Sequence, residues 1–424
     1  MSPKRPTIMR ARKGVDWFPL KKTVSLLGNK ESFPQFFPSF GLPTTPYSEW
    51  IEFREEDREK FGLEEDTIQG AYIYRYPETD FRVICFLFPE IKRAKAFRTL
   101  KKVYKRGELA GTLFALSRED FSEVWLAIPI PQDKRLEVRA LPIDVSNPKV
   151  SILETLYETQ ESLRKLFDHN KESSSFEILK ILWDKFNRAP VTVRFYKDLV
   201  DQSKEIEKET KKQIESDRDR KRFSLLLLTR IMFVYFLQKK KWIEGKEEIL
   251  NELLQKSGTE RETAFYEKYL KTLFFQVLNE KIEKRSGLAQ EFRNTPYLNG
   301  GLFSQNELEL KYPDISLQNQ IFSSLFEKLL DKYRFIVTEE TPEFTTVSVD
   351  PEILGGVFEE IIQGKERKEE GAYYTPKEVV LFMTRNALFF WLRRKAKVEE
   401  DKLLRLIFDD DSEGLTQNDK DEVL

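Results

Sequence analysis

From Glu177 to Tyr333, apolar residues recur three and four positions apart in successive runs with almost no glycine or proline inside them. That spacing lines one stripe of an α-helix, so the middle of the chain is expected to be mostly helical. The runs are Glu177–Phe186, Val191–Asp217, Lys221–Leu237, Lys246–Gln255, Glu260–Leu278 and Leu317–Tyr333. Within them, Gln202–Arg222 alternates densely in charge sign and reads as a solvated helix face laced with i,i+4 pairs.

The segment before this has a different grain. Ala71–Tyr76, Phe81–Phe88, Thr112–Leu116 and Glu123–Ile130 are short, rich in β-branched and aromatic residues, and separated by Pro, Gly and charged residues. They predict strands, with a helix over Ala94–Lys105 between them. The fold class expected is α+β: a mixed α/β domain over residues 1–170, a helical domain over 171–349, and a third section over 350–408. That last section opens with Asp350 as an N-cap and Pro351 at the first helical position, and its first helix ends at Gly364. Residues 409–424 are acidic and polar and predict a tail with no core to join.

Composition removes several chemistries. The chain has 424 residues, with 34% charged and a net charge of −1, so a nucleic-acid surface would have to be local. Mean hydropathy is −0.53, and the longest apolar run, Phe223–Leu237, is too short to span a bilayer. A soluble, cytoplasmic protein without membrane attachment is expected. The N-terminus shows no secretion signal, and a single cysteine, Cys85, fits a reducing compartment. With one histidine, His169, expected at a helix end, neither a Cys–His zinc cluster nor a conventional Ser–His triad can be assembled readily.

The segment Gly371–Val380, GAYYTPKEVV, combines two tyrosines with the capping box Thr375-Pro376-Lys377-Glu378 at the start of a helix running to about Lys397. Such a helix start offers unpaired N–H groups and the positive end of a dipole to a carboxylate or phosphate. Tyr373 and Tyr374 add flat amphipathic faces. This segment resembles the Gly-x-Tyr-Tyr-Thr-Pro motif of γ-class adenine-N6 DNA methyltransferases, found in type IIG restriction–modification enzymes and in phage-defence systems of the BREX kind. Leu227–Ile243, Pro296–Phe303 and Asp350–Ile362 are similar to stretches found upstream of that motif, in the same order. Val83–Pro131 looks like the N-terminal domain of such proteins.

The resemblance implies that Tyr373, Tyr374, Thr375 and Pro376 border S-adenosylmethionine beside a Rossmann-like sheet, and that double-stranded DNA is the substrate. The chain departs from the family by lacking the Asp-Pro-Ala-x-Gly-Ser-Gly-x-Phe cofactor loop and the Asn-Pro-Pro-Tyr motif that holds a flipped adenine. It therefore reads as the N-terminal part of such an enzyme, inactive alone. The second reading is a non-catalytic DNA-binding or scaffold subunit that pairs with a separate methyltransferase chain.

Two further features lie near Phe81–Phe88. Asp80, Glu90 and Lys92 fit the loose Asp…Glu-x-Lys pattern of nucleases in which paired carboxylates hold Mg²⁺, a third reading. Against it, Pro89 disfavours a mid-sheet position for Glu90. Ile91–Arg106 carries eight basic residues and no acidic one, around a stripe of Phe97, Leu100 and Val103/Tyr104. Lys92, Arg93, Lys95, Arg98, Lys102 and Arg106 are the candidate contacts to a DNA backbone.

Overall fold

The computed structural model describes residues 16–42, 50–63, 70–75, 80–108, 110–132, 135–169, 173–298, 301–336, 344–349, 377–408 and 415–423. Two units divide the chain, Met1–Val357 and Phe358–Leu424. The chain is α+β.

A seven-stranded mixed sheet organises the first unit. Its strands lie side by side in chain order: β1 (Trp50–Glu52), β2 (Gly70–Arg75), β3 (Arg82–Phe88), β4 (Thr112–Arg118), β5 (Glu123–Gln132), β6 (Arg135–Asp144) and β7 (Phe344–Thr346). Only β3/β4 and β6/β7 pair in parallel. Helices α1 (Phe18–Ser25), α2 (Phe33–Ser39) and α3 (Glu55–Phe61) come early in the chain, and α4 (Arg93–Lys105) bridges the parallel pair β3 and β4. A parallel neighbour cannot be reached by a tight hairpin, so a crossover is obligatory there.

Both faces of the sheet are covered, which is why β3 reads as the unbroken apolar run VICFLF. One face puts Ile84, Phe86, Phe114, Leu116, Leu136 and Val138 into a buried cluster with Ala96, Leu100 and Val103 of α4 and Phe61 of α3. The alternate residues Val83, Cys85, Leu113, Ala115, Val124 and Leu126 are equally buried and point the other way. That second face is met by α5 (Val150–His169), which packs on β6, and α6 (Ser175–Lys185), which packs on β4 and β5. Burial holds the Cys85 thiol well above its ordinary pKa, so it stays a neutral core side chain.

Gly111 fixes the entry to β4. Its φ is +65°, and a Cβ there would collide with the carbonyl oxygen of Asp80. With no side chain at 111, the chain ahead of β3 lies tight against it, and Arg82 N donates to Gly111 O at 2.8 Å.

The helical layer comprises α7 (Arg188–Glu209), α8 (Asp217–Lys239), α9 (Ile249–Gly258), α10 (Glu307–Lys311) and α11 (Asn319–Leu325). Three expected helices are corrected here. Val191–Asp217 breaks after Glu209, because Ser216 caps a new helix by accepting from Asp219 N at 3.2 Å. Glu260–Leu278 contains two π-helical segments, Phe265–Leu270 and Leu273–Leu278, and Leu317–Tyr333 is α11 followed by a third, Phe326–Leu330. Strand β7 returns from residue 344 to pair with β6, so the helical section is inserted between strands of one sheet.

The second unit, among its described residues, consists of α12 (Lys377–Lys395), α13 (Glu400–Phe408) and α14 (Gln417–Val423). Phe389, Leu392 and Ala396 of α12 bury against Leu403 and Ile407 of α13. The terminal segment expected to be a coreless tail instead forms α14. Val423 packs on that cluster, and Lys402 Nζ reaches Asp419 at 3.0 Å. No helix among the described residues is long and apolar enough to cross a membrane.

Candidate nucleic-acid interface

Helix α4 exists because Ala96, Thr99, Leu100 and Val103 recur at three- and four-residue spacing and seat on the sheet. Phe97 and Tyr104, half-buried, flank that stripe. The same 3.6-residue period carries the cations round to the other side. Arg98, Lys102 and Lys105 follow at i, i+4 and i+7, with Lys95 and Lys101 beside them. The result is a basic arc of about a third of the helix circumference, opposite the buried stripe.

The individual side chains differ in how they are held. Lys92, Arg98, Lys105 and Arg106 are exposed, whereas Arg93, Lys95, Lys101 and Lys102 are half-buried. The Lys95 ammonium stands 5.7 Å from the Phe88 ring centroid, and Arg98 Nε donates to Ala94 O at 3.2 Å. Arg106 lies across Gly62 at the end of α3, where a Cβ would stand 3.2 Å from its Nε. Lys92 pairs with exposed Glu90 at 3.1 Å, an interaction of small net worth in water. The six residues proposed from sequence are thus brought to one helix and its ends. Like charges at i,i+3 and i,i+4 repel, so the arc is a surface that a polyanion relieves.

The Asp80, Glu90 and Lys92 pattern is not assembled into a metal site. Asp80 precedes β3 and Glu90 follows it, so the two carboxylates stand at opposite ends of a strand, roughly 20 Å apart at about 3.3 Å per residue. Asp80 accepts instead from Ser175 N at 3.4 Å. Among the described residues no group of three metal-ligating side chains forms. The spacing that suggested a nuclease is the length of one strand.

Two of the stretches similar to the methyltransferase family, Leu227–Ile243 and Pro296–Phe303, carry buried groups among the described residues. Arg230 of α8, 2% exposed, donates to Leu302 O at 2.6 Å, to Ser304 O at 2.7 Å and to both carboxylate oxygens of Glu309. Glu309 also accepts from Asn306 N as part of a capping box. One guanidinium therefore clamps α8 to the segment 302–304 and to α10. The adjoining corner is pinned by Glu244, whose Oε1 accepts from Asn294 N at 2.8 Å and Thr295 Oγ1 at 2.9 Å. Arg285 donates to the carbonyls of Val277, Phe292 and Thr295.

Tyr373, Tyr374, Thr375 and Pro376 lie outside the described residues, as does the expected helix over Asp350–Gly364. The helix they introduce, α12, has an unexpected second apolar face. Val379, Met383, Phe390 and Trp391 are exposed, Met383 at 61% and Trp391 at 56%. Leu388 is exposed as well, at 45%.

A family model described as a domain of unknown function (DUF7814) matches residues 155–341, from within α5 to just before β7. A Methanocaldococcus jannaschii protein named "Putative type II restriction enzyme and methyltransferase" is 29% identical over 241 residues. No solved structure matches. The match spans 48% of this chain and 20% of that protein, so this chain is related over half its length to about a fifth of a protein named for restriction and modification.

Proposed function

We propose that this chain is the front portion of a restriction–modification DNA methyltransferase of the adenine-N6 kind, with α4 gripping the duplex backbone and α12 leading into the S-adenosylmethionine domain. The observation that carries the reading is the 29% identity to a protein named as a restriction enzyme and methyltransferase. The order of the similar stretches ahead of GAYYTP supports it, as does the exposed apolar face of α12. A helix apolar on two sides is one built to sit between two layers. On this reading the exposed face seats on the cofactor-binding sheet, and Tyr373, Tyr374, Thr375 and Pro376 border the cofactor.

The chain itself holds neither the cofactor loop nor the Asn-Pro-Pro-Tyr motif. Those catalytic motifs come from further polypeptide or from a separate chain in the cytoplasm, and this portion docks DNA for them. The test is to carry the locus that encodes this chain into a host lacking adenine methylation and to digest its DNA to nucleosides. N6-methyladenine that vanishes on deletion of this chain supports the reading. DNA free of the modified base, with no barrier to incoming phage, would sink it.

A further inference from the structure

On the face of the sheet opposite α4, a groove of about 490 Å³ opens at the β6–β7 edge. Its floor is Arg139 of β6 and Thr345 of β7, which the parallel register sets side by side. Its wall is Trp183 near the end of α6 and Ala189 and Val193 in the first turns of α7. The volume falls within the roughly 300–1,000 Å³ of small-molecule sites.

Arg139 is held as a ready-made fork. Its guanidinium carbon lies 4.0 Å from the Trp183 ring centroid. Its Nη1 donates to the Trp183 carbonyl at 2.9 Å, which fixes the plane. Yet it forms no ion pair with a carboxylate among the described residues. Burial pushes its pKa down from the ordinary value, and the fields of Glu137 and Asp184 push the other way. A half-buried, immobilised arginine with no carboxylate in direct contact keeps one edge of its fork open to an anion.

The start of α7 is not the source of attraction. Asn187 Oδ1 already accepts from Ala189 N at 3.0 Å, and Pro190 has no N–H to offer. Anion recognition therefore falls to side chains: Arg139 with the Thr345 hydroxyl beside it, and Arg188, which lines the same groove.

We propose that this groove binds a nucleoside phosphate, with the phosphate on the free edge of the Arg139 guanidinium and the sugar and base against the apolar wall of Ala189 and Val193. A planar guanidinium matches two phosphate oxygens at once, and Val193, 49% exposed, gives the apolar part something to cover. The nucleotide can be free or part of a strand. The inference does not depend on the methyltransferase reading or on α4, which lies across the sheet.

Isothermal titration calorimetry of the full chain tests it, with adenosine 5′-monophosphate, a single-stranded deoxyoligonucleotide and inorganic phosphate as probes. We expect saturable binding of the monophosphate, the oligonucleotide or both; which of the two distinguishes a free ligand from a strand. Arg139→Gln should weaken that binding roughly ten- to a hundred-fold, the loss of a charge-assisted pair, with an unchanged melting curve. Glu137→Gln, which removes the carboxylate lining the same groove, should tighten it, and it carries the test if Arg139→Gln does not fold. Silence with both nucleotide probes, inorganic phosphate binding as tightly as the nucleotide, or affinities unmoved in either folded variant would overturn the proposal.

Discussion

Arg230 shows how much a single buried residue can decide here. Its guanidinium is the common partner of a helix, a turn and a capping carboxylate, and it faces the rings of Phe274 and Phe275 at 5.7 and 5.2 Å. Removing it alone strands Glu309 as a buried, uncompensated charge. Arg230→Ala should therefore cost about 3–5 kcal/mol in chemical denaturation, whereas a joint Arg230→Met, Glu309→Leu change should recover most of that loss. A second residue-scale prediction concerns acid. Burial pushes the Glu108 carboxyl up, but hydrogen bonds and charge from Arg82 and Lys60 outweigh it and leave the pKa below the ordinary 4.5. A depressed carboxylate stabilises the fold above its unfolded pKa and loses that contribution as pH falls through the folded value. The acid limb of the stability–pH curve, below about pH 4.5, should be shallower in Glu108→Gln, as thermal melts across pH 2–6 would show. An identical limb in the variant would mean that the Arg82 and Lys60 pairing contributes nothing to folding.

Elements were legible where one stripe of the sequence met one surface. The strands β3, β4 and β5 follow from short runs rich in β-branched and aromatic residues, and the helix α4 from three–four spacing. Strand β6 alternates, with Leu136, Val138 and Ala140 against Glu137 and Arg139, but its start beside Gln132–Lys134 and its Pro142 masked the pattern. Strand β7 could not be read, because three residues become a strand only through a partner about two hundred positions earlier. The α12 sequence is apolar on more than one side, and apolarity cannot say which of two faces is buried within the chain. Because the second face is exposed, Met383→Lys with Phe390→Lys should leave the melting temperature within about 2 °C, as surface changes do. Phe389→Ala, which opens a cavity against Leu403 and Ile407, should destabilise the second unit by about 3 kcal/mol or more. Proteolysis of the α12–α14 segment would separate the two cases.

At the scale of the molecule, the two functional readings sit on opposite sides of the sheet. α4 turns cations outward from one face, and the Arg139 groove opens on the other. The near-zero net charge conceals this, because composition averages over surfaces that topology keeps apart. The nuclease pattern, weighed against from sequence because of Pro89, comes apart for a local reason: Asp80 and Glu90 are close in sequence but separated by the full length of β3.

Whether α4 binds duplex DNA through its backbone is measured directly by fluorescence anisotropy of a labelled duplex across a salt series. The wild-type chain should bind, with log K falling linearly with log salt at about 0.9 per phosphate contact. Replacing Lys95, Arg98, Lys102 and Lys105 by alanine together should reduce that slope by about 2–4 while the far-ultraviolet circular dichroism is retained. Binding that persists with an unchanged slope in the folded variant, or no binding by the wild type at low salt, would contradict the assignment of α4 as the nucleic-acid interface.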